Sequence, residues 1–379
     1  MHKQYRIRDY DIKLIIMVIS ISVIGVMAIG SARESLQTRQ LLGVIAGVFL
    51  MIVISFLDYN VILKLYWPMY AANLVLLALV KLPGLGGDDA NGAQRWLNLF
   101  GFRFQPSETA KIMLILFFAQ FIMIHREHLN TFKYTVLCII LFLPSLMLIY
   151  FQPDMSTSIM VMLLFCVIMF VGGISYKLVI GALAVAIPAI LIAFSLILQP
   201  EETNILINME IIKPYHRLRV LAWLHPEEYA NSIAYQTVNS MTAIGSGQLM
   251  GKGYNTNVIS SVKNGNFISE AQTDFIFAVI GEEFGFVGGC VVIGLLILIA
   301  LECMLIAKKS KDLAGTIIAS AMAAWVGFQG FINISVATGL FPNTGIPLPF
   351  VSYGLTSLLS LFIGMGFVLN VRLQGKNFK

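Results

Sequence analysis

The chain has 379 residues, 58% of them hydrophobic and 12% charged, about half the roughly 25% charged share of an ordinary soluble domain. With a mean hydropathy of +0.83 it lacks the polar surface a water-soluble fold needs, and disorder, a collagen-like fibre and a disulfide scaffold are excluded as well. The net charge of +5 comes without a solvated basic stripe, so nucleic-acid binding is not expected and an all-α polytopic membrane protein is.

A membrane-spanning helix takes about 20 mostly apolar residues. Ten stretches qualify in chain order: 12–30, 41–57, 61–81, 106–124, 134–150, 156–173, 178–198, 275–307, 314–338 and 354–371. Arg6, Arg8 and Lys13 precede the first, and a second follows within about ten residues, so the first is expected to stay as a transmembrane helix and not to be cleaved as a signal peptide. Cys138, Cys166, Cys290 and Cys303 all lie in apolar runs, where they act as small hydrophobes.

Orientation follows from Lys and Arg, which are retained on the cytoplasmic side. One set of segments holds Lys3, Arg6, Arg8, Lys13, Lys64, Arg126, Lys133, Lys177, Lys308, Lys309, Lys311, Arg372, Lys376 and Lys379. The opposing short loops hold only Arg33, Arg39, Lys81, Arg95 and Arg103. Both termini are therefore expected in the cytoplasm. The large loop between helices 7 and 8, residues 199–274, then falls outside. Its stretches Ile205 to Ile212, Leu218 to Trp223 and Tyr235 to Ile244 are amphipathic and predict short interfacial helices. Gly84, Gly86 and Gly87 mark a smaller flexible loop on the same side.

Ionisable groups at or within spans are costly unless paired or hydrated, which makes them informative. Glu108 and Lys111, three residues apart at the start of the fourth span, share a helix face; they are either a structural ion pair or the lining of a hydrophilic cavity. Asp154 follows Gln152-Pro153 and fits an N-cap of the sixth span. Asp274 opens the run Phe275 to Ile280. It can serve as a cap, as can Thr273, or as a proton acceptor against two phenylalanines. Glu282 and Glu283 lie about 12–13 Å further along a helix, too far to pair with it. The glycines around them, Gly281, Gly285, Gly288 and Gly289, favour close helix packing over a break.

Arg217 and Arg219, with Lys213 and His216, form the densest basic group of the long loop; they are either solvated or a diphosphate-binding fork. The segment Thr338 to Gly354, with Pro342, Pro347 and Pro349, predicts irregular backbone packed within protein, because bare backbone cannot face lipid. No metal-ligand spacing, Walker motif, dinucleotide fingerprint or nucleophile elbow is present.

Six motifs in order resemble the SEDS family (shape, elongation, division and sporulation), and the resemblance covers nearly the whole chain. They are Gly92-Ala93-Gln94-Arg95-Trp96; Gln105-Pro106-Ser107-Glu108 with Lys111; Gln152-Pro153-Asp154; Tyr235-Gln236 with Ala243 to Gly247 and Gly251-Lys252-Gly253; Thr273 to Phe277 with Gly281-Glu282-Glu283; and Thr344 to Gly354. Two departures stand out. Gln272 replaces the family's usual His, and Gly354-Leu355-Thr356-Ser357 replaces the usual Gly-Gly-Ser-Ser.

The resemblance implies a single transmembrane domain over 1–379, including the loop 199–274. It implies a peptidoglycan glycosyltransferase of the bacterial cytoplasmic membrane that polymerises lipid II outside it, most similar to the elongation and cell-shape branch. The partners implied are lipid II and its polyprenyl-linked glycan, a class B penicillin-binding protein transpeptidase, other elongation-complex proteins and membrane lipid. Asp274 matches the family's essential aspartate and is the expected catalytic base. Arg95, Trp96, Glu108, Lys111, Asp154, Arg217, Arg219 and Ser352 are the expected substrate-binding residues, and a divalent cation, magnesium or manganese, is a candidate cofactor. The competing readings are a lipid II flippase, a division or sporulation member of the same family, and a scaffold that recruits other wall proteins.

Overall fold

The computed structural model describes residues 10–82, 86–88, 94–99, 102–129, 131–200, 214–256, 261, 265 and 267–375. Lys3, Arg6, Arg8, Gly84, Gly92, Ala93, Lys213, Lys376, Lys379 and the amphipathic stretch from Ile205 to Ile212 lie outside the described residues.

The fold is overwhelmingly helical. In chain order it runs α1 (Ile12–Ala32), α2 (Glu34–Phe56), α3 (Tyr59–Leu63), α4 (Tyr66–Leu79), β1 (Gly86–Asp88), β2 (Gln94–Leu99), β3 (Phe102–Phe104), α5 (Pro106–Ile124), α6 (Phe132–Tyr150), α7 (Met155–Val171) and α8 (Tyr176–Ile197). There follow α9 (Pro214–Leu224), α10 (Tyr235–Ser246), α11 (Ile276–Lys308), α12 (Leu313–Ala337) and α13 (Leu355–Gln374). Among the described residues eight helices are long and apolar enough to cross a membrane: α1, α2, α5, α6, α8, α11, α12 and α13. The shorter apolar helices α4 and α7 stand where two more spans were expected.

Local chemistry sets several helix ends. Asp11 caps α1 through Leu14 N (3.1 Å) and Asp58 caps α3 through Asn60 N (2.9 Å); Pro106 opens α5, where its missing N–H costs nothing.

Two expectations need correction. The third span, 61–81, is not one helix, because Pro68 has no N–H to offer the Lys64 carbonyl and its ring would clash there. The chain turns at Lys64-Leu65 and restarts with Met69 N bonding Leu65 O (2.9 Å). The glycine loop is also more ordered than expected. It contributes to an antiparallel sheet in the order β1-β2-β3, with Gly87 opposite Trp96 and Asn98 opposite Arg103. Such strands are too short to register in a hydropathy reading tuned to about 20 residues, although Leu97 and Leu99 alternating with Asn98 carry the two-residue period.

The chain forms two compact units: Met1–Ile174 with Val291–Gly330 and Ile346–Lys379, and Ser175–Cys290 with Phe331–Gly345. In the first, α13 packs along α2, and the backbones approach closely where side chains are absent. A Cβ on Gly366 would sit 2.8 Å from Met51 O, and one on Gly47 would strike the Phe362 ring. An aromatic stack joins α4 to α5, with the Tyr70 and Phe117 rings 4.5 Å apart. Buried polar groups are tied across helices: Asn73 Nδ2 donates to Ser145 Oγ (3.0 Å), and Asn370 Nδ2 to Ser55 O (2.7 Å). The second unit holds α8, α9, α10, the first part of α11 and the last part of α12. Two of the expected amphipathic stretches of the long loop are thus helices, α9 and α10.

Candidate functional site

The expected site residues fall into one group in each unit. In the first unit they gather around the head of α5. Asp154 caps α7 through Thr157 N (3.1 Å), as its sequence context predicts, and its other oxygen accepts from Gln105 Nε2 (3.3 Å) and Ser107 Oγ (3.5 Å). Arg95, on β2, donates from Nη2 to the Pro153 carbonyl (2.5 Å), so it holds the turn that presents Asp154. Trp96 lies beside it on the same strand, half-buried. One turn into α5, Lys111 Nζ bonds Glu108 Oε1 (2.7 Å) and Gln329 Oε1 (3.3 Å) and lies 4.5 Å from the Trp325 ring centroid. Gln329 in turn accepts from Trp325 Nε1 (2.6 Å) and donates to the Pro347 carbonyl (2.8 Å).

This cluster is buried. Glu108 and Lys111 are 3% and 2% exposed, and the cavity beside Lys111 is about 10 Å³ and apolar, room for one water at most. The two side chains form an ion pair within this unit. Glu108 Oε2 and Arg95 Nε are buried with no hydrogen-bond partner among the described residues. Ser352 is buried too. Its hydroxyl accepts from Leu348 N (2.7 Å) and its carbonyl from Gln40 Nε2 (3.4 Å), so it closes a turn of the irregular segment that was expected between Thr338 and Gly354.

In the second unit the carboxylate of Asp274 is partly exposed, immediately before Phe275 and Ile276, which are fully buried. Its carbonyl accepts from Asn333 Nδ2 (2.8 Å). Its side chain reaches a glycine: a Cβ built on Gly345, whose φ is +74°, would sit 3.4 Å from Asp274 Oδ2. Thr273, the alternative cap, bonds backward instead, through its hydroxyl to Glu270 Oε2 (2.9 Å).

The segment ending in Gly345 is held by the helices of the long loop. Ser240 Oγ on α10 bonds Ala337 O (2.7 Å), Trp223 Nε1 on α9 bonds Gly339 O (3.1 Å), and Arg219 Nη1 on α9 bonds Asn343 O (2.8 Å). Arg219 also stacks on Tyr215, its guanidinium 4.4 Å from the ring centroid. Arg217 bonds Gln199 O through Nε (2.8 Å). Two residues apart on one helix, Arg217 and Arg219 do not share a face.

The glycines near Glu282 mark a break as well as close packing, a correction to the expectation that favoured packing over a break. Gly285 has φ +64° and ψ −161° inside α11. Lost helical bonds are replaced by neighbouring backbone: Lys252 N donates to Glu282 O (2.9 Å), Gly253 N to Glu283 O (3.0 Å), Phe286 N to Gln248 O (2.8 Å) and Val287 N to Leu249 O (3.2 Å). Buried Glu282 accepts from Lys252 Nζ (2.6 Å) and Ser261 Oγ (3.2 Å).

Sequence reasoning missed Trp325, Gln329 and Asn333. The signal was available: 325, 329 and 333 repeat every four residues along α12, so two amides interrupt one face of an apolar helix. Gly345 was noted only as part of an irregular packed segment.

The family model described as cell cycle protein, FTSW_RODA_SPOVE, matches residues 11–377. The probable peptidoglycan glycosyltransferase FtsW of Trichlorobacter lovleyi is 30% identical, the match covering 98% of this chain and 95% of that protein. A solved structure described as structural coordination of polymerization and crosslinking by a peptidoglycan synthase complex has a TM-score of 0.75 at 30% identity, covering 96% of this chain and 97% of the other. The crystal structure of the Thermus thermophilus rod shape determining protein RodA has a TM-score of 0.68 at 29% identity, covering 96% of each chain. Six ordered motifs, a bundle of apolar helices and a match over nearly the full length lead to one conclusion: this chain belongs to the FtsW/RodA/SpoVE cell cycle protein family, the SEDS family.

Proposed function

We infer that this chain is a peptidoglycan glycosyltransferase that joins lipid-linked disaccharides of lipid II into glycan at the outer face of the bacterial cytoplasmic membrane. In the reaction a sugar hydroxyl oxygen bonds to the anomeric carbon of a second sugar. The bond from that carbon to the diphosphate breaks, and the lipid diphosphate leaves with the electron pair. The hydroxyl proton goes to the carboxylate of Asp274. A diphosphate is already a good leaving group and needs charge neutralisation more than an acid, so one base with nearby cations suffices.

The observation that carries this reading is the setting of Asp274. Its carboxylate is partly exposed against the bare backbone of Gly345, and the segment before Gly345 is bound by Arg219. A saccharide can approach over a glycine where a side chain would block it, and a guanidinium on the same segment suits a diphosphate. In this reading Arg219 leads in diphosphate binding, with Arg217 on the same helix; within the first unit Arg95, Asp154, Glu108 and Lys111 shape the head of α5, Trp96 stays a candidate substrate contact, and buried Ser352 braces the irregular segment. Among the described residues no three His, Cys, Asp or Glu side chains gather as a metal site. Magnesium or manganese is the candidate cation, and no step is routed through it.

The topology that fits is ten spans with both termini cytoplasmic and the loop 199–274 outside. The cation bias of the loops and the two shorter apolar helices support it. A class B penicillin-binding protein is the proposed partner, in keeping with the polymerization and crosslinking complex the chain resembles. The elongation role is proposed from the motifs and the likeness to a rod shape determining protein.

The test is lipid II polymerisation by the purified chain with its partner, with and without a metal chelator. Wild type is expected to make glycan, and Asp274→Asn to lose about 10²- to 10⁴-fold in rate, the usual share of a general base. Normal polymer from Asp274→Asn would end the base assignment. Lipid II flipping without polymer would favour the transporter instead.

A further inference from the structure

Asp274 stands just ahead of a short rod. The break at Gly285 divides α11, leaving Ile276 to Phe284 as a half-helix of about 13 Å at 1.5 Å per residue. Its first end is held where Asn333 binds the Asp274 carbonyl. Its second end is held by the backbone clasp: the carbonyls of Glu282 and Glu283 and the amides of Phe286 and Val287 all bond to the 248–253 segment. In apolar surroundings a helix break is tolerated only where such groups are satisfied again. The clasp has no room for side chains. Gly251 at φ +81° presses on the Glu283 carbonyl, and Gly285 at φ +64° on Leu249 O and Gly251 N.

One ion pair closes the clasp from the side. Lys252 reaches Glu282 at 2.6 Å, and Ser261 takes the second oxygen of the same carboxylate. Glu282 is 1% exposed, so removing Lys252 takes a cation away from a buried charge. Eight residues from Asp274, it is too far along the helix to touch what the carboxylate touches.

We propose that Lys252 and Glu282 are positioning residues for Asp274, their ion pair locking the far end of the half-helix so that the carboxylate keeps its place against Gly345. The proposal rests on the glycosyltransferase reading for its kinetic consequence, and on geometry alone for its structural one.

The test compares wild type, Glu282→Gln, Lys252→Met and the exchanged pair Lys252→Glu with Glu282→Lys, using the full chain and lipid II. A displaced base misaligns the reacting atoms, so each single variant is expected to lose about 10- to 100-fold in kcat, with KM within about twofold because substrate contacts are untouched. The exchanged pair is expected to regain most of the loss. Single variants with wild-type kcat would overturn the proposal, as would a loss confined to KM. A second readout needs no activity. Amide exchange in the peptide 268–280, which carries Asp274, is expected to speed up roughly tenfold or more in Glu282→Gln while α13 keeps its protection, and unchanged exchange there would overturn the proposal. A wild-type chain that makes no polymer sinks the enzyme reading, and the exchange result still decides whether the ion pair orders the peptide around Asp274.

Discussion

The polar head of α5 and the surroundings of Asp274 are built on opposite plans. Around Glu108 and Lys111 every partner is a side chain, from α5 itself or from α12, the pair is nearly sealed, and the adjacent cavity holds one water at most. Around Asp274 the anchors are mostly backbone: a carbonyl held by Asn333, a bare glycine facing the carboxylate, and a loop strung from α9 and α10. The first arrangement ties helices together by pairing buried charge. The second leaves the residue partly exposed and braces the chain that carries it. In the proposed reading, the partly exposed carboxylate on a braced backbone is the one that takes a proton from a ligand.

Substitutions can break this contrast, and the largest effect is expected at the open carboxylate. Asp274→Asn should remove about 10²- to 10⁴-fold of the polymerisation rate with no loss in thermal stability; a comparable loss of stability would make Asp274 a support like Glu108. Next comes Lys111→Met, which strands Glu108 and should destabilise the protein by about 3–5 kcal/mol in denaturant melts. Pairing it with Glu108→Leu should restore most of that stability, and if it does not, the cluster is more than an internal ion pair.

Tyr59→Phe probes a buried polar contact remote in sequence from both regions. The hydroxyl donates to Asp312 Oδ2 (2.8 Å), and its loss should cost about 1.5–3 kcal/mol, the range for a bond to a charged group. Burial, first, and then the Asp312 carboxylate push the Tyr59 phenol well above its ordinary value of 10. The folded state therefore keeps this proton at a pH where the unfolded chain gives it up. The stabilisation is full below pH 10 and is lost as pH rises above it, so Tyr59→Phe should flatten the alkaline fall in melting temperature. The smallest effect sharpens the open site. Gly345→Ala forces a left-handed φ on a side chain, costing about 1–2 kcal/mol, and puts a methyl in contact with Asp274 Oδ2, so rate should fall further than stability implies.

What the sequence disclosed depended on the length scale of each feature. Spans of about 20 apolar residues announce themselves, and so did the capping role of Asp154 and the shared face of Glu108 and Lys111, because helical spacing is regular. The division of the third span was marked by Pro68 but lost inside an apolar average. Strands of three to six residues sit below that average altogether. Asp274 was found through its motif and not through its setting. Asn333 lies 59 positions from the Asp274 backbone it holds and Arg219 lies 124 from Asn343, and only the fold shows these pairings. Gly285 was ambiguous because the same residue serves packing and breakage; the choice was made by the 248–253 segment some thirty positions earlier.

That order along the chain has a consequence for how the protein is made. Lys252 precedes Glu282 by 30 positions, so the segment that repairs the broken helix leaves the ribosome before the break itself does. The acceptors at Gln248 and Leu249 and the donors at Lys252 and Gly253 are therefore synthesised before residues 282–287, whose backbone they satisfy in the finished fold.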